Sequence, residues 1–183
     1  SQMLTRPEEE RTRFDFSAHQ LAIRGAAPCP RRVKEEMFAW WGPILHKYYG
    51  GTESSGLTYV GTEAWLARPG TVGPAVIGKI HICSEDGAEL PNGEAGLVYF
   101  ERKRVPFSYH KDPEKLRSAQ HPVHPTWTAL GDIGYVDDEG YLYLTDRASS
   151  MLISARVITT PQQTENELSL RTKVADGAAS SIP

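Results

Sequence analysis

Two short apolar runs on either side of an amphipathic segment constrain the fold of this chain more than any other feature. The runs cover residues 20–25 and 44–49, and the segment between them covers 31–41. Its apolar residues recur at i, i+4 and i+8: Val33, Met37 and Trp41. This period predicts a helix, which Gly42-Pro43 ends. Strand, helix and strand at this spacing predict a βαβ unit and one edge of an α/β layer.

The middle of the chain has a different pattern. The expected strands cover residues 76–83, 96–101, 127–135 and 141–145. Turn signals separate them, and Asp137-Asp138-Glu139-Gly140 indicates a hairpin between the last two. A short polar helix is expected from Asp112-Pro113 to about residue 119, because proline is favoured in the first helical turn. We therefore predict an antiparallel β region packed on the α/β part.

The last part of the chain is less regular. Met151-Leu152-Ile153 is a short apolar piece, and a helix is expected from near Pro161 to about Thr172. Residues 175–183 are small and polar, which predicts little order at this end.

Composition excludes several classes of function. The 183 residues carry a formal net charge of −3 at pH 7, which provides no basic field for nucleic acid. No apolar run reaches the ~18–20 residues that a transmembrane helix needs. We therefore expect a cytoplasmic protein with no transmembrane segment and no nucleic-acid partner.

Cysteine and histidine residues give no metal signature. Cys29 and Cys83 stand far apart, outside any CxxC spacing, and are expected to be small core residues rather than reactive thiols. The spacing of His110, His121 and His124 matches no helical ligand pair, so we expect loop histidines.

A loop after the second apolar run contains residues that suit a nucleotide. Tyr49 offers a ring for a base, and Gly50 and Gly51 let backbone N–H groups approach a ligand closely. Thr52 can hydrogen-bond a phosphate oxygen, and Glu53 can hold a hard cation such as Mg²⁺. An ordinary glycine turn with a surface glutamate would have the same residues. The loop alone therefore leaves both a nucleotide-binding loop and a plain surface turn open.

Ordered motifs resolve this choice. The chain carries YYGGTE at 48–53, TALGDIGY at 128–135 and YLYLTDR at 141–147. In this order and at these distances they resemble adenylate-forming enzymes, which have a YGxTE loop, a GD followed by G-Y/F, and a D-G-Y hairpin that ends in arginine. The segments GAAPCP at 25–30 and WWGPIL at 40–45 resemble the acyl-CoA synthetase, or fatty-acid–CoA ligase, branch.

The resemblance implies a fold and its division. The fold class would be mixed α/β: the late part of the large N-terminal domain of an adenylate-forming enzyme, followed by the start of its small C-terminal domain. Residues 1–147 would be the C-terminal portion of the large AMP-binding domain. Residues 148–183 would be the hinge and the truncated beginning of the small domain.

The resemblance also implies an adenosine site. Backbone atoms of four residues would line the adenine: Gly25, Ala26, Ala27 and Pro28. Tyr49 would stack on the base, and Asp132 would accept hydrogen bonds from the ribose hydroxyls. Leu144 would pack beside the nucleotide, and Arg147 would contact the sugar. Taken singly, Asp132 is better explained as a turn residue at a strand end, and Arg147 as a surface ion-pair partner.

The phosphate end is implied by the loop residues. Gly50 would belong to the nucleotide-binding set, Thr52 would touch the α-phosphate, and Glu53 would hold Mg²⁺. Thr52 and Glu53 are the catalytic candidates in this chain, and Glu53 is the metal candidate.

Two parts of the family's machinery do not occur in these 183 residues: a Ser/Thr/Gly-rich loop that ends in lysine, and a late lysine in the small domain. The hinge positions that usually hold charged residues are Ser149 and Ser150, and Arg156 replaces a glycine. We therefore expect this fragment alone to be inactive in adenylation.

The implied activity is that of an ATP-dependent acid–CoA ligase, which forms an acyl-adenylate and then an acyl-CoA. Its substrates would be ATP, CoA and a fatty or other hydrophobic carboxylic acid. Four loop residues are expected to border the acid: Gly51, Ser54, Ser55 and Gly56. The alternatives are a non-catalytic remnant that binds AMP or ATP weakly and a fragment of an aryl- or amino-acid adenylation domain. Pairing with a complementary chain would cover a sheet edge.

Overall fold

The computed structural model describes residues 2–25, 31–147, 152–154 and 157–159. A 3₁₀ helix at Gln2–Thr5 precedes four α-helices. These are α1 (Glu8–Arg11), α2 (Arg31–Trp41), α3 (Thr62–Ala67) and α4 (Pro113–Ala119). The strands are β1 (Ala22–Arg24), β2 (Leu45–Tyr49), β3 (Leu57–Val60), β4 (Ala75–Ile77), β5 (Lys79–Cys83), β6 (Gly96–Glu101), β7 (Trp127–Val136), β8 (Leu142–Arg147), β9 (Leu152–Ser154) and β10 (Val157–Thr159).

The first sheet contains the predicted βαβ unit. Its strand order is β1-β2-β3-β4. Strands β1 and β2 are parallel, with Ala22 opposite Leu45 and Arg24 opposite Lys47, and α2 connects them. The remaining pairs are antiparallel, so the loop after β2 is a hairpin loop. The βαβ prediction is confirmed, and the helix has the predicted bounds.

The second sheet is the predicted antiparallel region. Strands β5 to β8 form a meander in chain order, in which every neighbouring pair is antiparallel. The β7–β8 turn is organised by Asp137, whose Oδ1 accepts hydrogen bonds from the N–H groups of Glu139 at 3.0 Å and Tyr141 at 2.9 Å. The predicted hairpin is therefore confirmed. The predicted mixed α/β class is also confirmed, because an α/β layer and an antiparallel sheet make up most of the described residues, and β9 and β10 form a separate antiparallel pair.

The strand expected over 76–83 is two strands that belong to different sheets. Gly78 separates β4 from β5 and has a φ of +81°. This left-handed conformation suits glycine, and it turns the chain from the first sheet into the second. The alternating residues Ile80 and Ile82 continue correctly in β5.

Helix α4 follows from local signals. Asp112 accepts a hydrogen bond from the N–H of Lys115 at 3.0 Å, and Pro113 occupies the first turn, where its missing N–H is not needed. The helix therefore begins and ends where the sequence predicts. The helix expected over 161–172 and the tail at 175–183 lie outside the described residues, whereas the 151–153 piece includes part of β9.

Apolar residues of the second sheet, together with one residue of the connection before β4, form the core: Val72, Ile82, Val98, Phe100 and Leu142. Thr71 ties the connection to this core, because its hydroxyl donates to the carbonyl of Leu142 at 2.8 Å. Tyr49 and Leu144 pack against the same cluster. The end of β2 and the end of the β7–β8 pair are thereby held against one hydrophobic centre.

Strand β1 lies at the edge of the first sheet; its Ile23 is 58% exposed, and Leu21, which precedes the strand, is 46% exposed. No helix in the described part of the chain is long and apolar enough to cross a membrane.

A glycine in the loop after β2 allows the two sheets to approach. A Cβ at Gly56 would collide with the Phe100 ring, which is fully buried in the second sheet. We expect Gly56→Ala to lower the free energy of unfolding by about 1–3 kcal/mol through overpacking. Chemical denaturation monitored by circular dichroism measures this.

Gly61→Ala is the matched control, because its Cβ would lie 3.5 Å from the His46 ring, at ordinary contact distance. We expect a cost of about 1 kcal/mol or less there. Equal costs for the two variants would contradict the close approach of Gly56 and Phe100.

Candidate active site

Two predicted segments leave the same edge of the first sheet. Since β1 and β2 are parallel, their carboxyl ends meet, and this edge of an α/β sheet is where ligands bind. Gly25 follows β1 and lies against Tyr48, so closely that a Cβ at Gly25 would collide with the Tyr48 ring. Gly25 and the start of the loop after Tyr49 therefore lie side by side.

The loop after β2 has a tightly closed conformation. Ser54 has a φ of +56°, which is uncommon for a residue with a side chain, and its N–H donates to the carbonyl of Gly51 at 3.0 Å. A Cβ at Gly50 would lie 2.8 Å from the carbonyl oxygen of Gly56, so only glycine fits there without movement. Arg102 donates to the carbonyl of Ser54 at 3.0 Å and holds the loop from the end of β6. The backbone of the loop is thus fixed at several points.

A β-bulge positions the second predicted motif. Ala129 pairs with Tyr99 and Ile133 with Leu97, so residues 130–132 of β7 face only one residue of β6. Gly131 has a φ of +83°, which a bulge of this kind favours. The bulge brings Leu130 to the loop, because a Cβ at Gly51 would lie 2.9 Å from Leu130 Cδ2.

The same bulge aims Asp132 at the end of β2. Asp132 is 8% exposed, and the hydroxyl of Tyr49 donates to its Oδ2 at 2.7 Å. The Tyr49 ring also approaches Phe100, with ring centroids 6.1 Å apart. Tyr49 and Asp132, which are 83 residues apart in the sequence, are therefore joined directly.

Glu53 has its own set of contacts. The hydroxyl of Tyr109 donates to Oε1 at 3.1 Å, and the hydroxyl of Thr52 lies 3.3 Å from Oε2. A hydrogen bond from its own backbone N–H is the main cause that lowers the pKa of Glu53, although partial burial opposes it. The bonds from Tyr109 and Thr52 and the positive charge of Lys115 lower this pKa further. Glu53 is thus held as a carboxylate.

Strand β8 brings the last motif to the same region. Its register places Arg147 opposite Asp132, and Leu144 is partly buried against the core. Ala26, Ala27 and Pro28 lie outside the described residues. The predicted residues that the structure does describe thus lie after β1, at the end of β2 and in the loop that follows it, and on the β7–β8 pair.

Sequence reasoning missed three residues around the loop: Arg102, Tyr109 and Lys115. They belong to the segment between β6 and the first turn of α4, which has no periodic pattern. The hydrogen bond of Arg102 joins residues that are 48 positions apart in the sequence, and that of Tyr109 joins residues that are 56 positions apart. Only the tertiary fold identifies them.

The histidines have structural contacts. His121 is 4% exposed, and its Nδ1 accepts from the N–H groups of Val123 and His124, both at 3.1 Å. Its Nε2 therefore carries the proton and donates to the carbonyl of Gly87 at 2.9 Å. In the part of the chain that the structure describes, no three His, Cys, Asp or Glu residues are grouped as metal ligands.

Cys83 is completely buried, and this burial raises the pKa of its thiol. It is a core residue, in agreement with the sequence. Cys29 lies outside the described residues.

Comparison with known proteins identifies the family to which this geometry belongs. The sequence model of the family described as AMP-binding enzyme matches residues 1–109, more than half of the chain. The chain belongs to the AMP-binding enzyme family. The resemblance to adenylate-forming enzymes is therefore confirmed.

The relatives of this AMP-binding chain are much longer. A long-chain-fatty-acid–CoA ligase of Yersinia pestis is 27% identical over 176 residues, which cover 96% of this chain and 31% of that ligase. This chain thus spans about a third of the length of the curated relatives it matches.

Solved structures of adenylate-forming enzymes share the fold. An amide bond synthetase from Marinactinospora thermotolerans superposes with a TM-score of 0.80 at 25% identity, covering 96% of this chain and 36% of the synthetase. An o-succinylbenzoate CoA synthetase from Bacillus subtilis, in complex with ATP and a magnesium ion, gives 0.75 at 26% identity and covers 86% of this chain and 33% of that enzyme.

The lowered pKa of Glu53 predicts a pH dependence of stability. A carboxyl whose folded pKa lies below its ordinary value of 4.5 stabilises the fold above that value, and this contribution is lost as pH falls toward the folded pKa. Glu53→Gln is therefore expected to lower the free energy of unfolding at neutral pH. The difference from the unsubstituted chain should shrink as pH falls below about 4.5. Urea denaturation at a series of pH values measures it, and a difference that stays constant with pH would contradict the assignment.

Proposed function

We propose that this chain contributes the adenosine-binding part of an ATP-dependent acid–CoA ligase. The observation that carries the proposal is the hydrogen bond from the Tyr49 hydroxyl to Asp132, which joins the YGGTE loop to the GD bulge at the carboxyl ends of β1 and β2. The AMP-binding family of the chain supports the same conclusion.

In this proposal Asp132 binds the ribose. It is nearly buried, and a carboxylate there can accept charge-assisted hydrogen bonds from two hydroxyl groups. Beside it, a Cβ on Gly131 would meet no heavy atom of the described residues within 4 Å, so there is room for a ligand next to the bulge. Tyr49 supplies the ring for the base, and Gly25, Gly50 and Leu144 border the same nucleotide. Arg147, the cross-strand neighbour of Asp132, contacts the sugar.

The adenine would be bordered by three residues that lie outside the described part of the chain. Ala26, Ala27 and Pro28 follow directly on Gly25 and would line the adenine with backbone atoms.

The phosphates would lie against the exposed side of the loop. Thr52 is exposed, and its bond to Glu53 is long at 3.3 Å, so its hydroxyl is available to a phosphate oxygen. A carboxylate accepts about four hydrogen bonds, so Glu53 keeps lone pairs for Mg²⁺ beside its recorded donors. One carboxylate together with phosphate oxygens and water is a usual Mg²⁺ environment, and the bound ion would neutralise phosphate charge.

The complete enzyme would act in two steps. The acid attacks the α-phosphorus of ATP to give an acyl-adenylate and pyrophosphate, and the thiol of CoA then displaces AMP. In this assignment residues 1–147 form the C-terminal portion of the large domain, and 148–183 form the hinge and the beginning of the small domain. The described strands β9 and β10 belong to the second part.

The acid is proposed to be a fatty or other hydrophobic carboxylic acid. The name of the Yersinia pestis relative supports this class. The o-succinylbenzoate and amide bond synthetases have the same fold, so the fold alone does not determine the acid. Gly51, Ser54, Ser55 and Gly56 are the residues of this chain proposed to border it.

Removing the ribose acceptor tests the site. Asp132→Ala is expected to weaken AMP binding at least about tenfold, since each hydrogen bond to a desolvated charge contributes ~1.5–3 kcal/mol. Isothermal titration calorimetry measures the affinity. Asp138→Ala, on the exposed β7–β8 turn, is the control and should bind AMP as the unsubstituted chain does. Equal affinity for Asp132→Ala would exclude the ribose assignment.

A second prediction concerns catalysis by these 183 residues alone. The lysine-terminated phosphate loop and the late lysine do not occur in them, so charge neutralisation at the β- and γ-phosphates is incomplete. We expect the purified chain to bind nucleotide but to show no acid-dependent exchange of labelled pyrophosphate into ATP. Measurable exchange that depends on the added acid would overturn this expectation.

A further inference from the structure

The loop between β6 and α4 crosses to the YGGTE loop and contacts Glu53 from the outside. The contact is made by Tyr109, whose hydroxyl donates to Glu53 Oε1 at 3.1 Å. Fifty-six residues separate the pair in the sequence, so the bond is a product of the tertiary fold.

The Tyr109 ring is itself held on two sides. The Nζ of Lys115 lies 4.4 Å from the centroid of the ring, in a cation–π arrangement. Phe107 packs edge-on, with the ring centroids 5.4 Å apart. The position of Lys115 is fixed in turn, because its N–H donates to the Asp112 side chain that caps α4. The hydroxyl therefore points at Glu53 from a preorganised ring.

We infer that Tyr109 is a positioning residue for the cation at Glu53, with Lys115 seated on its ring as the support. This inference rests on the proposed function, in which Glu53 holds Mg²⁺ with the phosphates of ATP. One donor on Oε1 restricts rotation of the carboxylate while leaving lone pairs for the ion. Glu53 is thereby ordered before the ion and the nucleotide bind, so binding loses less side-chain conformational entropy.

A merely structural role for Tyr109 makes a different prediction. If the hydroxyl only stabilised the fold, its loss would weaken AMP and Mg²⁺–ATP binding alike. If it positions the metal carboxylate, its loss would reduce only the gain in ATP affinity that Mg²⁺ provides. AMP is the discriminating ligand, because its proposed contacts are with Tyr49 and Asp132 rather than with Glu53.

The experiment is calorimetric titration of the 183-residue chain with AMP, with ATP in EDTA and with ATP in saturating Mg²⁺. Tyr109→Phe keeps the ring and the Lys115 contact but removes the hydroxyl. We expect it to reduce the Mg²⁺-dependent gain in ATP affinity by about tenfold, the lower range for an outer partner of a metal ligand. We expect its AMP affinity to stay within about twofold, as for independent sites.

Tyr143→Phe is the matched control. It removes another tyrosine–carboxylate bond, from Tyr143 to Asp137 Oδ2 at 3.2 Å on the β7–β8 hairpin, and should alter neither quantity. In a Glu53→Ala background, Tyr109→Phe should cause no further loss of the Mg²⁺-dependent gain, because the group that it positions is absent.

Three outcomes would overturn the inference. A full Mg²⁺-dependent gain in Tyr109→Phe would remove the positioning role and leave the proposed function intact. Equal losses for AMP and Mg²⁺–ATP would assign Tyr109 to the fold alone. An unsubstituted chain that binds AMP and ATP without any Mg²⁺-dependent gain would contradict the metal role of Glu53 and, with it, the inference. Failure of the unsubstituted chain to bind AMP at all is a different result, because it would contradict the proposed function itself.

Discussion

The hydrogen bond between Tyr49 and Asp132 is the interaction on which the arrangement of this molecule's candidate site depends. It joins the last residue of a strand in the first sheet to a bulged residue in the second. Both residues are wholly or partly buried, so the bond forms where a missing partner would cost more than it does in water. The core below it, centred on Phe100, fixes the distance between the sheets, and Gly56 allows that approach.

The proposed nucleotide binding depends on how the loops continue from the Tyr49–Asp132 hydrogen bond. The YGGTE loop turns back at Ser54 and is held by Arg102 and Tyr109, so Thr52 and Glu53 face outward from a fixed backbone. In the proposed function the Tyr49 ring takes the base, the Asp132 carboxylate takes the sugar, and Glu53 holds the cation at the phosphates. The hydrogen bond from its own backbone N–H, assisted by two hydroxyl donors and the positive charge of Lys115, lowers the pKa of Glu53 and keeps this carboxylate ionised.

Local signals predicted the parts of the fold that local chemistry determines. Helix α2 follows from its 3.6-residue period, and α4 follows from the Asp112 cap and Pro113. Strand β3 was not predicted, although Leu57-Thr58-Tyr59-Val60 has the β-branched and aromatic residues of a strand. The bulge at 130–132 could not be predicted, because it depends on the register between β6 and β7. The ordered family motifs identify Tyr49 and Asp132, whereas Tyr109 lies outside the motifs quoted above and its contact depends on the tertiary fold.

In the proposed function AMP binds where the YGGTE loop meets the GD bulge. Amide chemical-shift mapping by ¹H–¹⁵N NMR during titration with AMP tests it most directly. The largest shifts are expected at residues 49–53 and 131–133, while the β7–β8 turn at 137–140 remains unchanged. Shifts that are absent, or that occur only on surfaces away from Tyr49 and Asp132, would contradict it.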